Sequence, residues 1–255
     1  MSNNLLKCPD RYVSFEYLRD KLPQDCKIKS YALKSGHIEL SLYHNGYDII
    51  PHTNRYFVYE FWKCINNSHE SLYSTIKYFH KNLSISDIGF YRDNWYYHFD
   101  DPYERAAIFY LLNRYSMDGS LNCIDISKHN FSKLNLLEFE KLCPHIKSLN
   151  FCFDGDENLI NCFNKVPEDN IIIVPVGKMK RTYLLKKNII TIDKSTFNHE
   201  NLKSFIDSQK IKCMLIYKYD KYVDKFYENN KTYINKLGFV TENPELAEDL
   251  IVSNF

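Results

Sequence analysis

The run Lys178-Met179-Lys180-Arg181-Thr182-Tyr183-Leu184-Leu185-Lys186-Lys187 is basic throughout and contains no acid. Side chains of this type suit one task, tracking along phosphates while a base stacks on the tyrosine, with Lys178, Lys180 and Arg181 as the leading contacts. The same composition also suits a solvated face with no ligand. A second group, Arg105, Arg114, Lys128, His129 and Lys133, offers cations to a phosphate backbone or lines a solvated loop. Asp154 and Asp156 stand two residues apart behind an apolar run. They read as helix N-cap residues or, if a ligand sits there, as acceptors for its donors. Metal chemistry has no support, because the nine histidines form no H-x-x-x-H or H-E-x-x-H pair and the cysteines no C-x-x-C pair. Cys143-Pro144-His145 reads as a buried thiol beside a surface imidazole. There is no G-x-S-x-G elbow, Walker A loop or G-x-G-x-x-G turn.

Such residues need a scaffold, and the composition supplies one. In 255 residues, 44% hydrophobic and 16% aromatic content is enough to bury a core. Lysine and arginine nearly cancel the acids at a net charge of +1, so no global field draws in nucleic acid or an anionic membrane, and a local patch must do so. The eight cysteines are scattered, and the first residues show no basic segment followed by an apolar run. Reduced thiols in a cytoplasmic or nucleoplasm-like compartment are expected, with neither secretion nor a membrane span.

The apolar pattern reads as alternating strands and helices. A helix over Arg11–Leu22 precedes a strand at Ile28–Leu33, a turn at Ser35-Gly36-His37 and a helix through Ile38–Leu42. A strand at Asp48–Pro51 then leads to an aromatic helix over Asn54–Ile65. Beyond Leu72 the chain is helical and polar, and Asp100-Asp101-Pro102 caps a further helix. Residues 122–135 read as a hairpin or loop insertion. Strands at Ile146–Phe153, Ile171–Val176, Lys210–Tyr217 and Leu250–Ser253, with helices over Asp156–Lys165 and Val223–Glu228, complete the pattern. The expected architecture is α/β, a doubly wound Rossmann-like sheet from residues 1–65 and 146–255, carrying a small helical or hairpin lobe over 66–145. In such sheets ligands sit beyond the carboxyl ends of the strands, here Leu33–His37, Pro51–Asn54, Phe153–Asp156 and Val174–Gly177. The dense aromatics Tyr91, Trp95, Tyr96, Tyr97, Phe99 and Tyr103 read as packing, as a base-stacking surface or as a protein interface.

The segment Glu104–Gly119, an apolar helix closed by Asn113-Arg114 and a glycine-containing turn, resembles the signature with which Dam-type DNA adenine-N6 methyltransferases enter their target-recognition domain. The close Glu248-Asp249-Leu250-Ile251-Val252-Ser253-Asn254-Phe255 is similar to that family's Glu-x-Leu-Ile-x-Asn-aromatic ending. Tyr219–Tyr227 looks like its preceding strand-to-helix segment. The resemblance implies a methyltransferase-type sheet with an inserted target-recognition lobe, S-adenosylmethionine as cofactor and DNA as partner. It also locates what has changed. The Gly-Gly-Lys turn falls on Cys8-Pro9-Asp10-Arg11-Tyr12, and the Phe-x-Gly-x-Gly loop on Ala32-Leu33-Lys34-Ser35-Gly36, which keeps Gly36 but puts a long side chain at Lys34. The ribose-gripping Asp-x-Asn falls on His52-Thr53-Asn54, and Asp-Pro-Pro-Tyr on Val174-Pro175-Val176-Gly177. Asp154 and Asp156 lie near the adenine-side acid, and the arginine that enters the DNA groove is matched by Asn122.

Valine offers no acceptor for an adenine amino group and glycine no ring to stack on a flipped base, so the expectation is a methyltransferase-like protein without methyl transfer. No bound cofactor is expected. The residual role is binding of nucleic acid through Arg105, Asn113, Arg114, Asn122, Lys128, His129, Lys133, Lys178, Lys180 and Arg181, or assembly with other subunits or a catalytic partner. Two alternatives stand beside it: an S-adenosylmethionine-dependent adenine methyltransferase with rewired motifs, and a structural subunit that binds no nucleic acid.

Overall fold

The computed structural model describes residues 5–8, 10–117, 127–179 and 198–255. It divides into two compact units. One comprises residues 1–9, 34–37 and 56–151, and the other residues 10–33, 38–55 and 152–255.

Among the described residues, the second unit is built on an eight-stranded sheet. Its strands are β1 (Lys27–Ser30), β2 (Asp48–Thr53), β3 (Cys152–Phe153), β4 (Ile171–Gly177), β5 (Lys212–Lys218), β6 (Lys231–Asn235), β7 (Val240–Thr241) and β8 (Ala247–Ser253). They lie in the order β3-β2-β1-β4-β5-β8-β6-β7. From β3 to β5 every pairing is parallel, whereas β8 runs antiparallel to both of its neighbours. The order 3-2-1-4-5 is that of a doubly wound sheet whose direction of winding reverses between β1 and β4, so the expected α/β class is observed. The central strands read as continuous apolar runs because both faces are covered. Alternate residues Ile172, Val174 and Val176 of β4 and Cys213, Leu215 and Tyr217 of β5 enter one core. Phe163 of α7 (Leu159–Asn164), Leu202, Phe205 and Ile206 of α8 (His199–Asp207) and Val223 of α9 (Lys221–Phe226) close over them.

Proline inside a central strand removes a ladder donor and is tolerated chiefly at bulges. Pro175 conforms, for the β4–β5 register slips between Pro175 and Gly177. Gly177 follows with φ +85°, a left-handed conformation that side chains rarely adopt.

Where β5 ends and β8 begins, a buried ion pair fixes the segment entering α1 (Phe15–Lys21), the helix that precedes β1 as α2 (His37–His44) follows it. Lys218 Nζ lies 2.6 Å from Asp249 Oδ1 and donates to the Arg11 carbonyl at 2.8 Å. Asp249 Oδ2 accepts from the backbone N–H groups of Val13 at 2.7 Å and Ser14 at 3.0 Å. The carboxylate thereby satisfies donors at the start of α1, where the Ser14 side chain makes no cap.

The other unit is helical, not a hairpin, in its described part: α3 (Tyr56–Asn82), α4 (Ile85–His98), α5 (Pro102–Tyr115) and α6 (Lys133–Leu142). Two expectations shift here. Residues 56–65 belong to this unit, because α3 runs on through a break at Ser68 (φ −161°, ψ 95°), and the unit extends to Phe151. The expected strand Ile146–Phe153 is a 3-10 turn at Cys143–Ile146, extended chain and only the two residues of β3, since Ile146 and Leu149 are buried in the helical unit. Helix α5 is buried on all sides from Ala106 to Tyr115 and forms the axis of the unit, with Phe61 stacked on Tyr110 at 5.9 Å. Among the described residues no helix is long and apolar enough to cross a membrane.

Removing Asp249 leaves buried Lys218 with Glu248, 2.9 Å away, as its one remaining acid among the described residues and frees the two N–H groups of Val13 and Ser14. The substitution Asp249→Ala is expected to cost about 3–5 kcal/mol in urea unfolding. Replacing both partners, Lys218→Met with Asp249→Leu, is expected to cost less than Asp249→Ala alone.

Candidate functional site

The segments that follow β1, β2 and β3 bound a pocket of about 290 Å³. Ala32 lines it after β1, Asn54 after β2, Asp154 and Asp156 after β3, and Asn198 and Asn201 at the start of α8. The location is the one dictated by sheet topology. Its polar lining of carboxylates and amides favours a neutral or cationic donor-rich guest over an anion.

The turn after β3 is built differently from the sequence expectation. Asn158, not Asp154 or Asp156, caps α7, accepting from the Ile160 N–H at 2.9 Å, and the helix starts three residues later than expected. Asp154 is instead engaged by His52, whose Nδ1 lies 2.7 Å from Asp154 Oδ1. The His52 ring is also stacked on Tyr31 with centroids 4.5 Å apart, and His52 is only 9% exposed. Its Nε2 is buried with no partner among the described residues. Cys162, also in the lining, is held as a thiol, since burial and then the Asp154 and Glu157 charges push its pKa up to about 11.

In the loop after β1, Gly36 takes a left-handed conformation (φ 75°), as expected of the one glycine kept there, but so does Ala32 (φ 65°). A Cβ thus stands on a left-handed residue bordering the pocket, a conformation that side chains rarely adopt. Lys34 is half-buried. Asn54 is exposed.

At the end of β4, Val174 is fully buried in the core over α7 and α8. Pro175 and Val176 are buried as well. The space a side chain on residue 177 would fill belongs to Asp10, because a Cβ built there lies 2.6 Å from Asp10 Cγ and closer still to Oδ2. Asp10 is 8% exposed, next to the segment anchored by Lys218 and Asp249. Around the strand ends stand the buried imidazole of His52, the half-buried side chain of Lys34 and, in the space at Gly177, the buried carboxylate of Asp10.

The sequence-derived nucleic-acid contacts divide into three groups. Several serve the helical unit itself. Arg105 forms a two-pronged pair with Glu60, at 2.5 Å and 3.0 Å, and donates to the Phe99 and Asp100 carbonyls. Asn113 and Arg114 are buried, the Asn113 amide pairing both ways with the Lys7 backbone at 2.8 Å and 3.0 Å. The Arg114 guanidinium lies over the Tyr110 ring at 5.6 Å. Lys128 Nζ donates to the Leu83 carbonyl just past the end of α3. These four are corrected from exposed cations or amides to internal ties. His129 and Lys178 are exposed. Asn122, Lys180, Arg181 and the side chain of Lys133 lie outside the described residues. His145 is exposed beside buried Cys143, as its motif suggests, and the described cysteines are all free. No group of three metal-ligating side chains occurs among the described residues. Compared with known proteins, the chain matches no family model and no curated protein.

Two predictions test this geometry. Gly177→Ala must force a Cβ against the Asp10 carboxylate and is expected to destabilise by about 1–3 kcal/mol, as overpacking does. With Asp10→Gly in the same chain the loss is expected to be smaller than the sum of the two single losses, measured as a double-mutant cycle in urea. The second concerns His199, at the start of α8, which lies 3.1 Å from the Tyr217 hydroxyl, and His80, which lies 2.9 Å from that of Tyr115. Burial lowers the pKa of both below the usual 6.5. The unfolded chain then takes up protons before the folded one does. Their contribution to stability is complete above about pH 6.5 and is lost as pH falls through the folded values. His199→Gln is expected to shrink the stability difference between neutral and mildly acidic buffer.

Proposed function

We propose that this chain is a catalytically silent relative of the Dam-type adenine methyltransferases. It keeps an α/β scaffold for binding nucleic acid or joining an assembly, without methyl transfer. The observation that carries this reading is the Asp10 carboxylate seated in the space of a side chain at Gly177. In the family that position holds the tyrosine that stacks on a flipped base, and no base can enter where a buried carboxylate already packs. Val174, matching the family's catalytic acid, supports the reading in the same way, since a core valine gives no acceptor to orient an amino group.

Loss of two oriented contacts at a reacting centre removes far more than one order of magnitude in rate, each being worth about 1–3 kcal/mol. The rewired-enzyme reading has one observation in its favour, the pocket at the ends of β1, β2 and β3 with Asp154 and Asp156 in its wall. A ligand there would still lack the groups that position adenine at β4.

The test is a transfer assay with radiolabelled methyl donor on unmethylated DNA, run beside a DNA titration at several salt concentrations. No label in adenine, together with DNA affinity that falls as salt rises, is the expected result. Label in adenine overturns the proposal. Salt-independent absence of DNA binding removes its nucleic-acid arm and leaves assembly.

A further inference from the structure

The helical unit carries a tyrosine cluster that its own core does not use. Tyr56 and Tyr59 stand one turn apart on α3, and Tyr96 and Tyr97 end α4. Tyr97 is 89% and Tyr56 43% exposed, with Tyr59 and Tyr96 half-buried beside them. The rings form a chain, Tyr59 to Tyr56 at 6.2 Å, Tyr56 to Tyr96 at 6.5 Å and Tyr96 to Tyr97 at 5.3 Å. Their planes cross at 49°, 83° and 85°, so none lies flat on the next. Underneath, Trp95 is buried and meets Tyr96 edge to face at 5.5 Å, and it packs in turn on Phe57 and Phe109. Tyr96 is thus held by a buried aromatic layer, and Tyr56 and Tyr97 meet its ring on either side.

The chemistry of this face selects its occupant. The charges acting on the Tyr56 and Tyr96 hydroxyls are those of Glu60 and Arg105, which neutralise each other as a pair. Asp93, on the same helix as Tyr96, is paired with Arg92 at 2.8 Å. The cation at the cluster is exposed Lys63, 6.0 Å over the Tyr59 ring. Among the described side chains of this unit, the exposed aliphatic ones, which a protein partner would bury, lie on other elements, Met117 after α5 and Leu134 and Leu137 on α6, while α4 adds the exposed ring of Phe90. Open aromatic rings beside a lysine, without an opposing acid, suit bases whose unstacked faces are free and whose phosphates pass close by. Duplex DNA, with its bases already stacked, offers no such faces.

We infer that the face formed by Tyr56, Tyr59, Tyr96 and Tyr97 is a stacking platform for single-stranded nucleic acid, with Lys63 contacting a phosphate. This deepens the nucleic-acid arm of the proposed function and rests on it.

Fluorescence anisotropy of the full chain with a labelled oligothymidylate of about 16 nucleotides tests it, since that spans a single-strand site. Tyr97→Ala and Tyr56→Ala are each expected to weaken binding about tenfold, within the range for one stacked base, while Tyr97→Phe keeps most of the affinity. Lys63→Gln is expected to reduce the salt slope by about 0.7, the value for one single-strand phosphate contact. A thermal melt of each variant confirms that the fold is intact, as the exposure of Tyr97 implies. Equal affinity of wild type and tyrosine variants overturns the inference but leaves the proposed function standing, with the nucleic-acid path elsewhere. Tighter binding of a duplex of the same length overturns it too. Failure of the wild type to bind any nucleic acid overturns the inference and the nucleic-acid arm together.

Discussion

The sheet unit depends on one buried ion pair. Lys218 and Asp249 meet where β5 ends and antiparallel β8 begins, with Asp249 wholly shielded from solvent. A charge so buried is tolerable only if its remaining oxygens and protons are bonded, and here Glu248, 2.9 Å from Lys218, and the N-terminal segment through Arg11, Val13 and Ser14 supply those bonds. Asp249 Oδ2 takes its two N–H donors from that segment, which must lie across the strand ends to give them. Once it lies there, neighbouring Asp10 packs against Gly177, and the bulge at Pro175 with a left-handed glycine after it gives the carboxylate its space. A single electrostatic requirement thus reaches from the ends of β5 and β8 to the end of β4.

A pattern links the residues that carry the family resemblance. Those that match do structural work: Asn113 pairs with the backbone of Lys7, Asp220 caps α9 through the Tyr222 N–H, and Asn254 binds the Cys213 N–H and the Ile211 carbonyl. Those that differ would do chemistry, and their places are taken by packing. Val174 is core, His52 is turned to Asp154 and Tyr31, and Gly177 gives way to Asp10. A scaffold whose ties persist while its reactive positions fill with packed side chains supports the silent reading, because each filled position gains burial that an open ligand site forgoes.

Much of the fold was legible because apolar runs bounded by turn residues mark buried strands, as at β1, β2, β4, β5 and β8. The hairpin of β6 and β7 lacks such a run, since Lys231–Asn235 is largely polar and only half-buried for most of its length although it pairs with both β8 and β7. Helix α8 carried a usable signal in Leu202, Phe205 and Ile206 at helical spacing, which its polar surroundings obscured. The site was legible in position but not in wiring. Strand ends follow from topology, whereas the His52–Asp154 bond joins residues 102 apart, and Val13 reaches Asp249 across 236. Cations misled for a related reason. Charge type is visible in a sequence, but that Arg105 has a buried partner in Glu60 is decided by helix packing.

Calorimetric titration of the purified chain with S-adenosylmethionine tests the central claim most directly. The account predicts no saturable heat up to high micromolar ligand, because the carboxylate at Gly177, the long side chain of Lys34 and the inward-turned His52 leave the cofactor without its grips. Saturable binding that Asp156→Ala weakens would contradict it and would mean that the pocket at the strand ends has been rebuilt for the cofactor.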